Sequence, residues 1–141
     1  MAKKELVKVK NEALIPQSVE AEEAVIGAIL TSPKSYSNVA DMLRPDDFYK
    51  PANRLIYDAI RMLTDKNEPV DVVTVAEKLK SMGQLEDAGG QYYIADLELN
   101  SVTSANIKYY AKIVQDTAIR RKLIAAGSEI VNNLQSFFPY L

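Results

Sequence analysis

The decisive stretch is ANIKYYAKIVQDTAIRRKLIAAGSEIVNNLQ, Ala105 to Gln135. Its one glycine is Gly127 and the next proline is Pro139, so nothing here breaks a helix. Ile107, Tyr110, Ala111, Val114 and Ala118 recur at helical spacing. So do Leu123, Ile124, Ile130, Val131 and Leu134, but on another face. At about 100° per residue the two stripe centres lie roughly 150° apart. One straight helix cannot bury both against one surface. The first half is expected to pack on its own domain, and the second to leave it and meet something else.

Upstream, Ser101 to Ser104 is a polar break, and Gly89-Gly90 opens a helix carrying Tyr93, Ile94 and Leu97. Asp71 or Thr74 caps a helix that runs to about Met82, with Gly83 as its stop; Thr74 and Glu77 have capping-box spacing. Val70, Val72 and Val75 would also suit a short strand near Val70. Asn67-Glu68-Pro69 is a loop. Ala52, Leu55, Ile56, Ala59, Ile60 and Leu63 follow helical spacing most clearly, and Pro51 suits that helix's first turn. Just before it, Pro45-Asp46-Asp47-Phe48 reads as a tight turn. Either aspartate can cap free N–H groups while Phe48 enters the core. A short helix is expected around Tyr36 to Leu43. Ser18 caps a helix with Val19, Val25, Ile26, Ile29 and Leu30 on its apolar face. Glu20, Glu22 and Glu23 lie in its first turns, and Thr31-Ser32-Pro33 ends it.

The pattern therefore predicts an all-α protein. A charged tail (1–14, with Lys3, Lys4, Lys8 and Lys10) precedes a compact multi-helix head (15–104). One long helix (105–136) follows, with a short apolar end (137–141) where the chain is cut.

The composition narrows the chemistry. The chain has 141 residues and neither cysteine nor histidine. Disulfides, thiolate metal sites, a cysteine nucleophile and the usual neutral-pH base are excluded. The missing cysteines also suit a reducing compartment, the cytoplasm. No P-loop, GxSxG, HExxH or CxxC occurs, and no apolar run would span a bilayer. Adjacent residues do not face each other, so Asp46 and Asp47 make a poor acid/base pair. Arg120-Arg121-Lys122 is the densest basic cluster. It reads as a solvated face pairing with Asp116, Glu129 or a partner's acids. The alternative is a nucleic-acid contact, helped by surface tyrosines. Tyr92, Tyr93, Tyr109 and Tyr110 sit by or within apolar runs and are expected to serve the core. A net charge of −2 does not favour nucleic acid.

An ordered set of motifs resembles a known family. Pro16-Gln17-Ser18-Val19-Glu20-Ala21-Glu22 with Val25-Ile26-Gly27 resembles the opening of the N-terminal domain of DnaB-type replicative DNA helicases. Leu43-Arg44-Pro45-Asp46-Asp47-Phe48-Tyr49, Val70-Asp71-Val72-Val73-Thr74-Val75, and Gly89-Gly90 with Tyr93-Ile94-Ala95-Asp96-Leu97 follow in that family's order. So do Ala105-Asn106, Tyr110-Ala111, Ile113-Val114 and Arg121-Lys122-Leu123-Ile124. The likeness spans about Pro16 to Leu134. It departs at Asn53, where family members often carry a non-catalytic histidine.

The resemblance implies a non-catalytic oligomerisation and primase-docking collar domain, acting in DNA replication. Its long helix would be the first arm of a helical hairpin. Hairpins pair into dimers, and six subunits form the collar. Primase would be the partner, and DNA would be touched only weakly or indirectly. ATP and Mg²⁺ would bind only a motor domain that this chain lacks. Face geometry, rather than any family motif, assigns Leu123, Ile124, Ile130, Val131 and Leu134 to the interface.

Overall fold

Local chemistry sets the start of each helix. In the computed structural model, which describes residues 15–137 apart from Val102, α1 (Val19–Thr31) begins at Ser18. The Ser18 hydroxyl oxygen accepts the N–H of Ala21 at 3.3 Å, and Glu20 and Glu22 occupy the first turn. Pro33 then ends α1 and begins a 3₁₀ turn, Pro33–Asn38. This turn stands where a short helix over 36–43 was expected. Ser35 is the physical reason: its hydroxyl donates to the carbonyls of Ser32 (2.6 Å) and Ala28 (3.3 Å) and ties the turn back onto α1.

A second 3₁₀ turn, Pro45–Asp47, leads to α2 (Pro51–Asp65), with proline at its first position as expected. α3 (Val72–Ser81) starts at Asp71, not Thr74. Asp71 accepts the Thr74 N–H at 2.8 Å, and Thr74 accepts the Asp71 N–H at 2.9 Å. Thr74 thus closes the capping box from its third position, and Glu77 takes no part. No strand forms among the described residues. Val70 instead enters the core as irregular chain. α4 (Gly90–Leu99) and α5 (Ile107–Phe137) complete the all-α architecture. Residues 1–14, expected as a charged tail, and 138–141, within the expected apolar end, lie outside the described residues.

α1 is the central helix, packed against α2, α4 and α5. Gly27 sets its distance from α4: a Cβ there would lie 2.4 Å from the carbonyl oxygen of Leu97. Ile26, Ile29, Phe48, Ile56, Tyr57, Ile60, Leu79 and Ile94 are fully buried between the helices. α5 contributes Ile107, Ala111, Val114 and Ala118 to this core, and Ala118 is its last buried residue.

Candidate functional site

From Ala118 onward α5 leaves the head, and its apolar side chains face outward. Leu123 is 66% exposed, Ile124 55%, Ile130 60%, Val131 52% and Leu134 54%. All five residues of the second stripe are therefore uncovered by their own domain. Two residues missed in the sequence extend the stripe. Ile119 and Phe137 are 48% and 82% exposed. Ile119, Leu123, Ile130, Leu134 and Phe137 stand at i, i+4, i+11, i+15 and i+18, one face of a helix. The spacing is visible in the sequence, but Ile119 lies where the two stripes meet and Phe137 falls in the apolar chain end.

The root of this arm is fastened by polar contacts. Arg121 donates from Nη1 to the carbonyl of Pro16 (2.9 Å) and from Nη2 to the carbonyl of Asp47 (2.7 Å). Its guanidinium also stands 5.4 Å from the centre of the Tyr49 ring. Lys122 Nζ reaches Asp47 Oδ1 at 3.3 Å, while Asp47 Oδ2 accepts the Arg44 N–H at 2.8 Å. Lys122 and Arg121 thus turn to the head, and not to Asp116 or Glu129 as their spacing had suggested. Of the three candidate nucleic-acid contacts only Arg120 is exposed and without a hydrogen bond or ion pair among the described residues. Of the two aspartates, Asp47 is the buried cap and Asp46 is exposed.

Behind the root, Glu22 is fully buried. It accepts the N–H groups of Tyr49 (2.7 Å) and Lys50 (3.2 Å) and the side-chain amide of Asn53 (3.1 Å). Asn53 Oδ1 in turn accepts the Tyr93 hydroxyl at 2.6 Å. Burial raises the pKa of the Tyr93 hydroxyl well above that of free tyrosine, and the nearby Glu23 carboxylate adds to this. Burial does the same to Tyr57, whose hydroxyl donates to the Leu43 carbonyl at 2.9 Å. Tyr93 and Tyr110 are partly buried, as expected. Tyr92 and Tyr109 are exposed, since adjacent helical residues point about 100° apart. Among the described residues no three acidic side chains converge as a metal site, and no helix is long and apolar enough to cross a membrane.

Residues 14–116 match the model of the DnaB-like helicase N terminal domain family. The chain is 43% identical over 123 residues to the replicative DNA helicase DnaC of Bacillus subtilis (strain 168), covering 87% of this chain and 27% of that one. It is 39% identical over 123 residues to the replicative DNA helicase DnaB of Geobacillus stearothermophilus, with the same coverage. It therefore spans about a quarter of the length of these relatives. The crystal structure of the N-terminal domain of DnaB helicase from Mycobacterium tuberculosis superposes with a TM-score of 0.81. That match has 42% identity and covers 84% of each chain. A structure of a DnaB-like replicative helicase and its interactions with primase gives 0.74 at 26% identity, covering 84% of this chain and 28% of that one.

Proposed function

Because this chain belongs to the DnaB-like helicase N terminal domain family, we propose that it is the non-catalytic assembly and docking portion of a replicative DNA helicase. In this reading copies of the chain associate through the exposed stripe of α5, as dimers and then as a hexameric collar in the parent protein. Primase is the docking partner, in keeping with the primase interactions named for a structural relative. ATP and Mg²⁺ belong to the parent's motor, and the protein works in the cytoplasm.

One observation carries the self-association: seven apolar side chains of α5, from Ile119 to Phe137, are about half or more exposed. Fully burying a leucine or isoleucine contributes about 1.5–3 kcal/mol. Covering five such half-exposed residues gives roughly 5 kcal/mol per chain before association costs are subtracted. Sedimentation over a range of concentrations tests this. The parent chain should self-associate, and Leu123→Asp combined with Ile130→Asp should leave monomers. Unchanged mass in the double variant would reject the stripe as the interface.

A further inference from the structure

We infer that Arg121 is a positioning residue, whose guanidinium fixes the direction in which the exposed half of α5 leaves the head. The inference rests on reading that half as an association arm, and it names what aims the arm. Apolar burial ends at Ala118. Beyond it, among the described residues, every residue but Arg121 is exposed, and Arg121 is half-buried. It reaches two separate pieces of backbone at once: the segment entering α1, at Pro16, and the 3₁₀ turn before α2, at Asp47. The two carbonyls lie 105 and 74 residues away in sequence. A planar fork of fixed donors holds two such acceptors in a set geometry; a lysine ammonium is a compact charge on a flexible stem and lacks that fixed geometry.

The neighbouring contacts brace the same corner. Lys122 sits on the Asp47 carboxylate, and that carboxylate is itself fixed by the Arg44 N–H. Gln115 Nε2 donates to the Met42 carbonyl at 3.2 Å, two turns earlier on the helix.

The lever is long. The helix from Lys122 to Phe137 extends roughly 24 Å past the clamp. A tilt of about 20° at the root would move its tip by about 8 Å. Side-chain contacts need separations of about 4 Å, so such a swing would destroy the register of paired stripes. Gly127, where a Cβ would point into open space, lies beyond the clamp and does not alter the angle at the root.

The chain has no cysteine of its own, which suits spin labelling at chosen positions. Labels at Lys34→Cys and Asn133→Cys report the angle between arm and head. Labels at Lys34→Cys and Glu68→Cys report the head alone. Pulsed dipolar measurements are made on the full chain carrying Leu123→Asp and Ile130→Asp and diluted in unlabelled protein, so that no partner braces the arm.

Arg121→Ala should broaden the arm distances by about 8 Å and leave the head distances unchanged. If the head distances also change, Arg121→Lys carries the test, since it keeps the charge but not the fork; it should broaden the arm distances with the head intact. An unbroadened arm in either variant with an intact head overturns the inference. Sedimentation judges the association reading separately: the parent chain can fail to associate while the clamp result stands, and the reverse holds too.

Discussion

Replacing Glu22 tests whether a buried carboxylate, rather than apolar packing alone, fixes the loop that carries the root of the arm. Glu22 receives three donors: the Tyr49 and Lys50 N–H groups and the Asn53 amide. Leucine at this position has similar bulk and no acceptor. Each buried donor left without a partner costs about 1–3 kcal/mol. Part of that total is offset because the leucine variant no longer desolvates a carboxylate. The net loss should be about 4 kcal/mol for Glu22→Leu. For Glu22→Gln it should be about 2 kcal/mol, since the amide keeps one acceptor oxygen and turns a donor toward the other partners. Urea denaturation at neutral pH reads this directly. With a slope of about 2 kcal/mol per molar, the midpoint should fall by about 2 M for leucine and about 1 M for glutamine. Protein concentration must be held constant, because association stabilises the folded state by mass action. A leucine variant within about 1 kcal/mol of the parent would refute the reasoning. The loop would then owe its position to its other contacts, Phe48 and Tyr57 in the core and Arg121 on the Asp47 carbonyl.

Two further outcomes are expected. Gly27→Ala should destabilise the head by about 1–3 kcal/mol, because the new methyl meets the Leu97 backbone carbonyl, which has no free rotor to move; an unchanged thermal midpoint would show that α1 and α4 separate freely. Tyr57→Phe should reduce the alkaline sensitivity of the fold. Burial raises the pKa of Tyr57 in the folded state, whereas the unfolded chain ionises near pH 10, its ordinary value. The stabilisation is therefore complete below about pH 10 and declines as pH rises, by up to about 1.4 kcal/mol per pH unit for this group. Urea midpoints between about pH 10 and 12 should fall less steeply in the phenylalanine variant. Equal slopes would count against the buried hydroxyl as their source.

Much of the architecture was legible because it is periodic. Ala52, Ile56, Ala59, Ile60 and Leu63 fall on one helical face, and all are buried. Ser18 was readable as a cap because its partner is three residues away. The outward stripe was readable for the same kind of reason, since two apolar faces of one helix roughly 150° apart cannot both meet one surface. What stayed hidden acts over long sequence distances. Local spacing offers Arg121 and Lys122 only neighbours such as Asp116, yet their partners are at Pro16 and Asp47. Glu22 looked like a charge placed for the dipole of α1, and nothing in its own helix announces that it holds residues 49–53. The tyrosine pairs could not be divided into inside and outside before the faces of α4 and α5 were placed.

The division of labour along α5 follows from the forces involved. Ala111 and Ala118, both buried, let the helix lie close to the head. Burial of Ile107, Ala111, Val114 and Ala118 fixes which face of the first half meets the head, but apolar attraction has no preferred direction and holds the tilt of the helix only loosely. A modest tilt at the root is enough to redirect the outward stripe, because the helix beyond it is long. Hydrogen bonds weaken steeply when bent, so they fix angles as well as distances. That is a physical reason for polar contacts at the root: Gln115 on Met42, Arg121 on Pro16 and Asp47, and Lys122 on the Asp47 carboxylate. Apolar burial fastens the first half of α5 to the head, and directional contacts at its last point of attachment set which way the second half faces.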